Sequence, residues 1–329
     1  MPGPAAGLVR RPRAARTHTA GYVPGSLSFE YRKSYALRMN PRVSIDAVMH
    51  DGERAAWTTV ALALALDPAG PQALRAAAGA ALAAAGIDPD ALPSDRDPAA
   101  VAAQAAAPLL QAAEVLRGGG TWAELSDKSL VAQGRASAQG AELFVRIALP
   151  RLAGLADALA RPGARMLDVG TGTGALAIAY ARALPALQVV GLDVLPRALD
   201  LARQTREQAA DVADRIEFRL QDVADLDEPL SYDLVWLPAP FIPPAVLPVG
   251  MAALVRALRP GGWLMIGHGK LAGDAIDDML ARLKTVVFGG TALTDDEARA
   301  VATDAGLVGV MGLPTPGGAP ALTVGRKPA

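Results

Sequence analysis

Met166-Leu167-Asp168-Val169-Gly170-Thr171-Gly172-Thr173-Gly174-Ala175 places a short apolar run against three alternating glycines and then a stretch of helix formers. Glycine tolerates the unusual dihedrals of a tight strand-to-helix turn and lets a ligand approach the backbone closely. The free amides at the start of the following helix attract an anionic group. A strand, a glycine turn and a helix in that order predict a ligand laid over the carboxyl end of a sheet.

Outward from this turn, the second half of the chain alternates. Candidate strands are Arg165 to Val169, Gln188 to Asp193, Ile216 to Gln221, Leu234 to Leu237 and Trp263 to Gly267, each reached through a helical stretch. Such alternation demands a parallel sheet with crossover helices. Leu307 to Leu313 and Ala321 to Gly325 are joined by a segment too short for a crossover, so they predict an antiparallel hairpin on the sheet edge. Thr294-Asp295-Asp296-Glu297 has the spacing of a capping box, and the helix it opens should end at Gly306.

Toward the amino end the texture is helical. Ala55 to Leu66, Pro71 to Ala85, Pro98 to Arg117 and Leu130 to Leu159 are runs of helix formers separated by Pro and Gly, with Pro71 and Pro98 suited to a first turn. Arg161-Pro162-Gly163 marks the change. The predicted organisation is an extension over 1–40, an all-helical domain over 41–160 and an α/β domain over 161–329.

Composition narrows the function. In 329 residues, 51% are hydrophobic, ample for a sizeable core. A net charge of -1 gives no broad attraction to phosphate backbones, so no nucleic-acid partner is expected. The absence of cysteine removes disulfides, thiolate metal sites and thiol nucleophiles, and no metal site is expected. Val60 to Leu66 and Ala76 to Ile87 fall short of the roughly 20 residues that span a bilayer, so no membrane partner is expected either. Arg10, Arg11, Arg13 and Arg16 are not followed by an apolar stretch of signal-peptide length, and Met39 and Met49 could each start the chain. A cytoplasmic location is the expectation.

The glycine turn alone leaves two ligands open, because Gly170-Thr171-Gly172-Thr173-Gly174-Ala175 also satisfies the dinucleotide pattern of an NAD-dependent oxidoreductase. Asp168, two places before the first glycine, suits a cationic amino group and would repel a pyrophosphate. Asp193, 23 positions after Gly170, ends the second strand where a carboxylate can accept from ribose hydroxyls in either ligand.

These residues, with Gln221-Asp222-Val223 and Leu258-Arg259-Pro260-Gly261-Gly262-Trp263-Leu264, resemble the ordered motifs of class I S-adenosylmethionine-dependent methyltransferases from about Ala164 to Lys327. The resemblance implies a Rossmann-like methyltransferase sheet preceded by a helical domain, with S-adenosyl-L-methionine as cofactor. It assigns Asp168 to the methionine amino group and Gly170, Thr171, Gly172 and Gly174 to the loop that wraps the cofactor. Asp193 with Val194 would meet the ribose, Asp222 and Val223 the adenine, and Leu237 the crevice beyond the fourth strand. Pro-Gly-Gly at 260–262 should end a helix and reverse the chain.

Leu237-Pro238-Ala239-Pro240-Phe241 lies where the class places groups around the transferred methyl, yet departs from the Asn/Asp-Pro-Pro-aromatic motif of enzymes that methylate base or glutamine amines. A small-molecule acceptor attacked through oxygen, nitrogen or carbon is therefore expected. His268, at the carboxyl end of a core strand, is the candidate base for a phenol or alcohol. Gln133, Arg135 and Ser137 are candidates to face the substrate. Alanine-rich helices also suit a homodimer, and a non-catalytic S-adenosylmethionine-binding protein is a third reading.

Overall fold

The alternation of apolar runs and helix formers produces a seven-stranded sheet in the order β3-β2-β1-β4-β5-β7-β6. The computed structural model describes residues 44–91, 97–269, 275–315 and 320–329. The extension expected over 1–40 lies outside the described residues.

β1 (Arg165–Val169), β2 (Gln188–Asp193), β3 (Ile216–Leu220), β4 (Tyr232–Pro238) and β5 (Leu258–His268) run parallel. β6 (Val308–Leu313) and β7 (Ala321–Arg326) form the antiparallel edge, with β7 paired to β5. Chain order reverses at β1, which has β2 on one side and β4 on the other. At such a switch point the two connections leave in opposite directions and open a crevice at the carboxyl ends of the strands.

Successive strand residues point to opposite faces, so the nearly continuous apolar runs build two cores. Met166, Val189, Leu234 and Met265 pack on one face beneath α6 (Ala175–Ala183). Leu167, Val190, Val235 and Leu264 pack on the other, beneath α8 (Leu247–Ala257) and α10 (Asp295–Asp304). α7 (Pro196–Gln208) connects β2 to β3. At the start of α10, Thr294 Oγ1 accepts from the Glu297 amide at 3.1 Å while Glu297 accepts from the Thr294 amide at 2.7 Å.

The helical region comprises α1 (Ile45–Leu66), α2 (Gln72–Ala84), α3 (Pro98–Leu116), α4 (Asp127–Leu143) and α5 (Leu155–Leu159). The single run expected from Leu130 to Leu159 is broken. A π turn over Phe144–Ala148 and a 3-10 turn over Leu149–Arg151 intervene, because Pro150 lacks an amide and Gly154 takes φ +76°. Residues Glu53–Ala329 close into one compact unit, so the helical and alternating regions that meet near residue 160 share it.

Two further expectations change. Pro260-Gly261-Gly262 does not reverse the chain: β5 already begins at Leu258, and its partners jump from Tyr232↔Leu258 to Leu234↔Trp263. Gly261, at φ +79°, makes this bulge, and it is tied to the last strand by its amide donating to Lys327 O at 3.0 Å. Among the described residues α3 is also long and apolar enough to cross a membrane by length and composition, although no such helix was expected. α9 (Ala275–Val287) was not anticipated.

Candidate active site

The glycine loop leaves β1 through three left-handed residues, Gly170 at φ +65°, Gly172 at +56° and Gly174 at +74°. Asp193 at the end of β2 holds it. One carboxylate oxygen accepts from the Gly172 amide at 2.8 Å and the other from Leu195 at 2.9 Å. Burial raises the Asp193 pKa, and the amide hydrogen bonds oppose that rise. The loop is further tied by the Thr171 amide donating to Leu192 O at 2.9 Å.

Asp168 is 1% exposed and accepts from Thr171 Oγ1 at 2.7 Å. Burial pushes its carboxyl up from the ordinary 3.8 to about 7; the Thr171 hydroxyl opposes this, and the charge of Asp193 adds to it. No basic side chain pairs with it among the described residues. The site therefore holds a buried acid lacking a cation, beside a loop shaped for close backbone approach.

β3 completes the crevice edge. The Gln221 amide donates to Asp193 O at 3.0 Å, bringing Gln221-Asp222-Val223 beside the end of β2. Asp222 caps the short turn over Val223–Asp225 by accepting from Ala224 at 2.8 Å. Val223 is buried against Gly250, whereas Val194, beside Asp193, is 56% exposed. Thus Asp168, the glycine loop, Asp193, Val194, Asp222 and Val223 gather at the carboxyl edges of three adjacent strands.

Leu237 sits differently: its side chain is fully buried in the apolar core beneath α8 and α10 rather than turned to the crevice. The next residue does reach the loop, since Pro238 Cγ lies 3.8 Å from where a Cβ on Gly170 would be.

His268 is two strands from β1 and 1% exposed. Its Nε2 is 3.0 Å from Thr323 Oγ1 on β7, and its Nδ1 is 3.3 Å from Gly269 O. Burial holds its pKa below the usual imidazole value, against the raising influence of Gly269 and Asp295. Both ring nitrogens are engaged within the protein, and we assign no proton transfer to it. Gln133 accepts from Gln111 at 2.7 Å and donates to Ser137 at 3.1 Å, so this pair faces α3, while Arg135 is exposed.

Three residues, Gly191, Trp122 and Phe288, escape sequence reasoning. A Cβ on Gly191 would lie 2.7 Å from Thr171 Oγ1 and 2.8 Å from Phe218 Cδ1, so this strand glycine makes room for the loop. Trp122 meets Phe241 edge-on at 4.6 Å and stacks on Phe288 at 4.9 Å. Nothing in their local sequence joins these rings. Among the described residues no group of His, Asp or Glu is placed to hold a metal ion.

Residues 166–262 match the profile of the methyltransferase domain family. The chain is 39% identical over 117 residues to demethylmenaquinone methyltransferase of Deinococcus radiodurans, covering 35% of this chain and 47% of that one. It is 34% identical over 108 residues to release factor glutamine methyltransferase of Rhodopirellula baltica, covering 32% and 36%. The chain thus spans less than half the length of these curated relatives. Among solved structures, an O-methyltransferase family protein from Burkholderia thailandensis superposes with TM-score 0.58 at 16% identity, covering 93% of this chain and 99% of that one.

Residues 166–262 thus combine similarity to a methyltransferase domain with the switch-point sheet that the chain shares with solved methyltransferases. The profile match favours a methyl-donor cofactor over the nicotinamide ligand that the glycine loop alone allowed.

Proposed function

We propose that this chain transfers a methyl group from S-adenosyl-L-methionine to oxygen, nitrogen or carbon of a small molecule. The carrying observation is Asp168, a buried acid with no cationic partner among the described residues, beside a glycine loop anchored by Asp193. These residues fit the cofactor's chemistry: a cationic amino group for Asp168, ribose hydroxyls for Asp193 and an adenine edge for Asp222 and the Val223 amide.

When bound, the cofactor supplies a methyl already activated by its sulfonium. The protein's task is then alignment and exclusion of water. Asp193 fixes the loop through Gly172 and retains lone pairs for hydroxyl donors. The end of β4 closes on Gly170 through Pro238.

A small acceptor is favoured by the charge balance and by Leu237-Pro238-Ala239-Pro240-Phe241, which lacks a side-chain carbonyl to hold an amide nitrogen. Calorimetry with S-adenosylhomocysteine, followed by label transfer from methyl-labelled cofactor to a panel of small acceptors, tests the reading. Binding and labelling are the expected result. Failure to bind S-adenosylhomocysteine would overturn it.

A further inference from the structure

We propose that Trp122, Phe241 and Phe288 form the acceptor wall, and that the acceptor is a planar aromatic molecule whose oxygen accepts from the Trp122 indole N–H. This deepens the methyl-transfer reading and rests on it.

The three rings come from distant segments. Trp122 opens the 3-10 turn Trp122–Glu124 between α3 and α4, Phe241 ends the turn after β4, and Phe288 follows α9. Their meeting point is built. Gly120 and Thr121 amides donate to Glu124 at 2.7 and 3.0 Å, fixing the Trp122 turn. Arg197 at the start of α7 donates to Leu125 O and pairs with Asp127 at 3.4 Å, tying that turn to the β2 end of the crevice.

On the other side, the Thr291 amide donates to Ala239 O at 3.0 Å and its hydroxyl to Ile242 O at 2.6 Å. The backbone at Gly290 is so close to Pro240 that an added Cβ would lie 1.7 Å from Pro240 O. The rings are thereby held across the carboxyl edge of the sheet, next to the segment whose Pro238 abuts the glycine loop. That is where an acceptor must meet the methyl.

The indole nitrogen decides the ligand's chemistry. It is enclosed and, among the described residues, has no hydrogen-bond partner. An enclosed, unpaired donor is costly, and packing alone would be served by phenylalanine. The rings therefore close on one another at the expense of an unsatisfied N–H. A flat ring entering the cluster preserves the apolar contact, and a phenolic or carbonyl oxygen on it pairs the donor. An aliphatic acceptor does neither as well.

The test uses the full chain saturated with S-adenosylhomocysteine, with 2-naphthol as planar probe and cyclohexanol as control, read by saturation-transfer NMR and calorimetry. Wild type is expected to bind naphthol and not cyclohexanol. Trp122→Phe, which keeps a ring and deletes the N–H, should bind naphthol about tenfold more weakly, as loss of one hydrogen bond implies. Its S-adenosylhomocysteine affinity should stay unchanged. Should Trp122→Phe not fold, Phe241→Leu replaces it and is expected to weaken naphthol in the same direction. Wild type that binds S-adenosylhomocysteine but not naphthol, or that prefers cyclohexanol, overturns the aromatic acceptor, as does a variant with undiminished naphthol affinity. Absence of S-adenosylhomocysteine binding strikes the methyl-transfer reading instead.

Discussion

Gly134 of α4 lies so close to Thr173 of the glycine loop that a Cβ on Gly134 would be 2.0 Å from Thr173 Oγ1. The helical region is thus seated directly on the glycine loop. Ala at position 134 would gain about 1 kcal/mol of helix propensity but meet an overpacking cost of about 1–3 kcal/mol. Gly134→Ala should therefore destabilise. Adding Thr173→Ala, which deletes the clashing oxygen, should recover most of the loss. Urea unfolding of the single and double variants measures the coupling, and additive effects would contradict this packing.

On the proposed reading, Asp168 should make cofactor affinity depend on pH. With its carboxyl raised to about 7 in the free protein, a cationic amino group must draw it into the ionised form. Affinity for S-adenosylhomocysteine should be roughly tenfold weaker at pH 6 than at pH 8. The free protein behaves oppositely. An acid whose folded pKa lies above the unfolded value of 3.8 costs stability as it ionises, so Asp168 detracts progressively between about pH 4 and 7. Asp168→Asn should raise the melting temperature at pH 8, leave it nearly unchanged at pH 4 and flatten the affinity profile.

Asp193 should show a graded response. Asp193→Ala removes the acceptor for both the Gly172 and Leu195 amides and frees the loop. A loss of about 10- to 100-fold in S-adenosylhomocysteine affinity follows from hydrogen bonds to a charged group. Asp193→Asn keeps one acceptor oxygen and should fall between. Calorimetry showing full affinity in the alanine variant would remove Asp193 from the site.

Asp233 supplies the contrast. It is buried near the amino end of β4, accepts from the Arg165 amide at 2.9 Å and pairs with Arg259. Asp233→Ala should cost about 2–4 kcal/mol of stability by stranding these donors. Because it lies at the opposite sheet edge from the loop, S-adenosylhomocysteine affinity should not change. Denaturation and calorimetry on the same sample separate the two effects.

The strands and the glycine loop were legible because their signals are local. Val189-Val190 marks a buried strand, and Gly170, Gly172 and Gly174 reveal their turn without reference to the rest of the chain. What failed depends on distant partners. Pro260-Gly261-Gly262 reads as a reversal, but its backbone is held in a bulge by Arg326 and Lys327, some 65 residues on. Gly191 looks like an ordinary strand residue until Phe218 and Thr171 arrive beside it. His268 stands at the right end of its strand, but the burial that engages its ring comes from Thr323 on β7. Trp122 carries no pattern, since an isolated aromatic between two turns says nothing about Phe241 or Phe288. α9 was missed although Met279, Leu280, Leu283 and Val286 recur at helical spacing; in the structure these side chains are exposed rather than packed on the sheet.

The interposition of β7 between β5 and β6 has a kinetic corollary. Residues 308–313 are synthesised before 321–326 yet touch the rest of the sheet only through them. During elongation β5 keeps an unsatisfied edge, and β6 waits beside it with no ladder to join. Assembly of this border is therefore a late event, and nascent chains halted between the two segments would offer bare strand edges to chaperones or to one another.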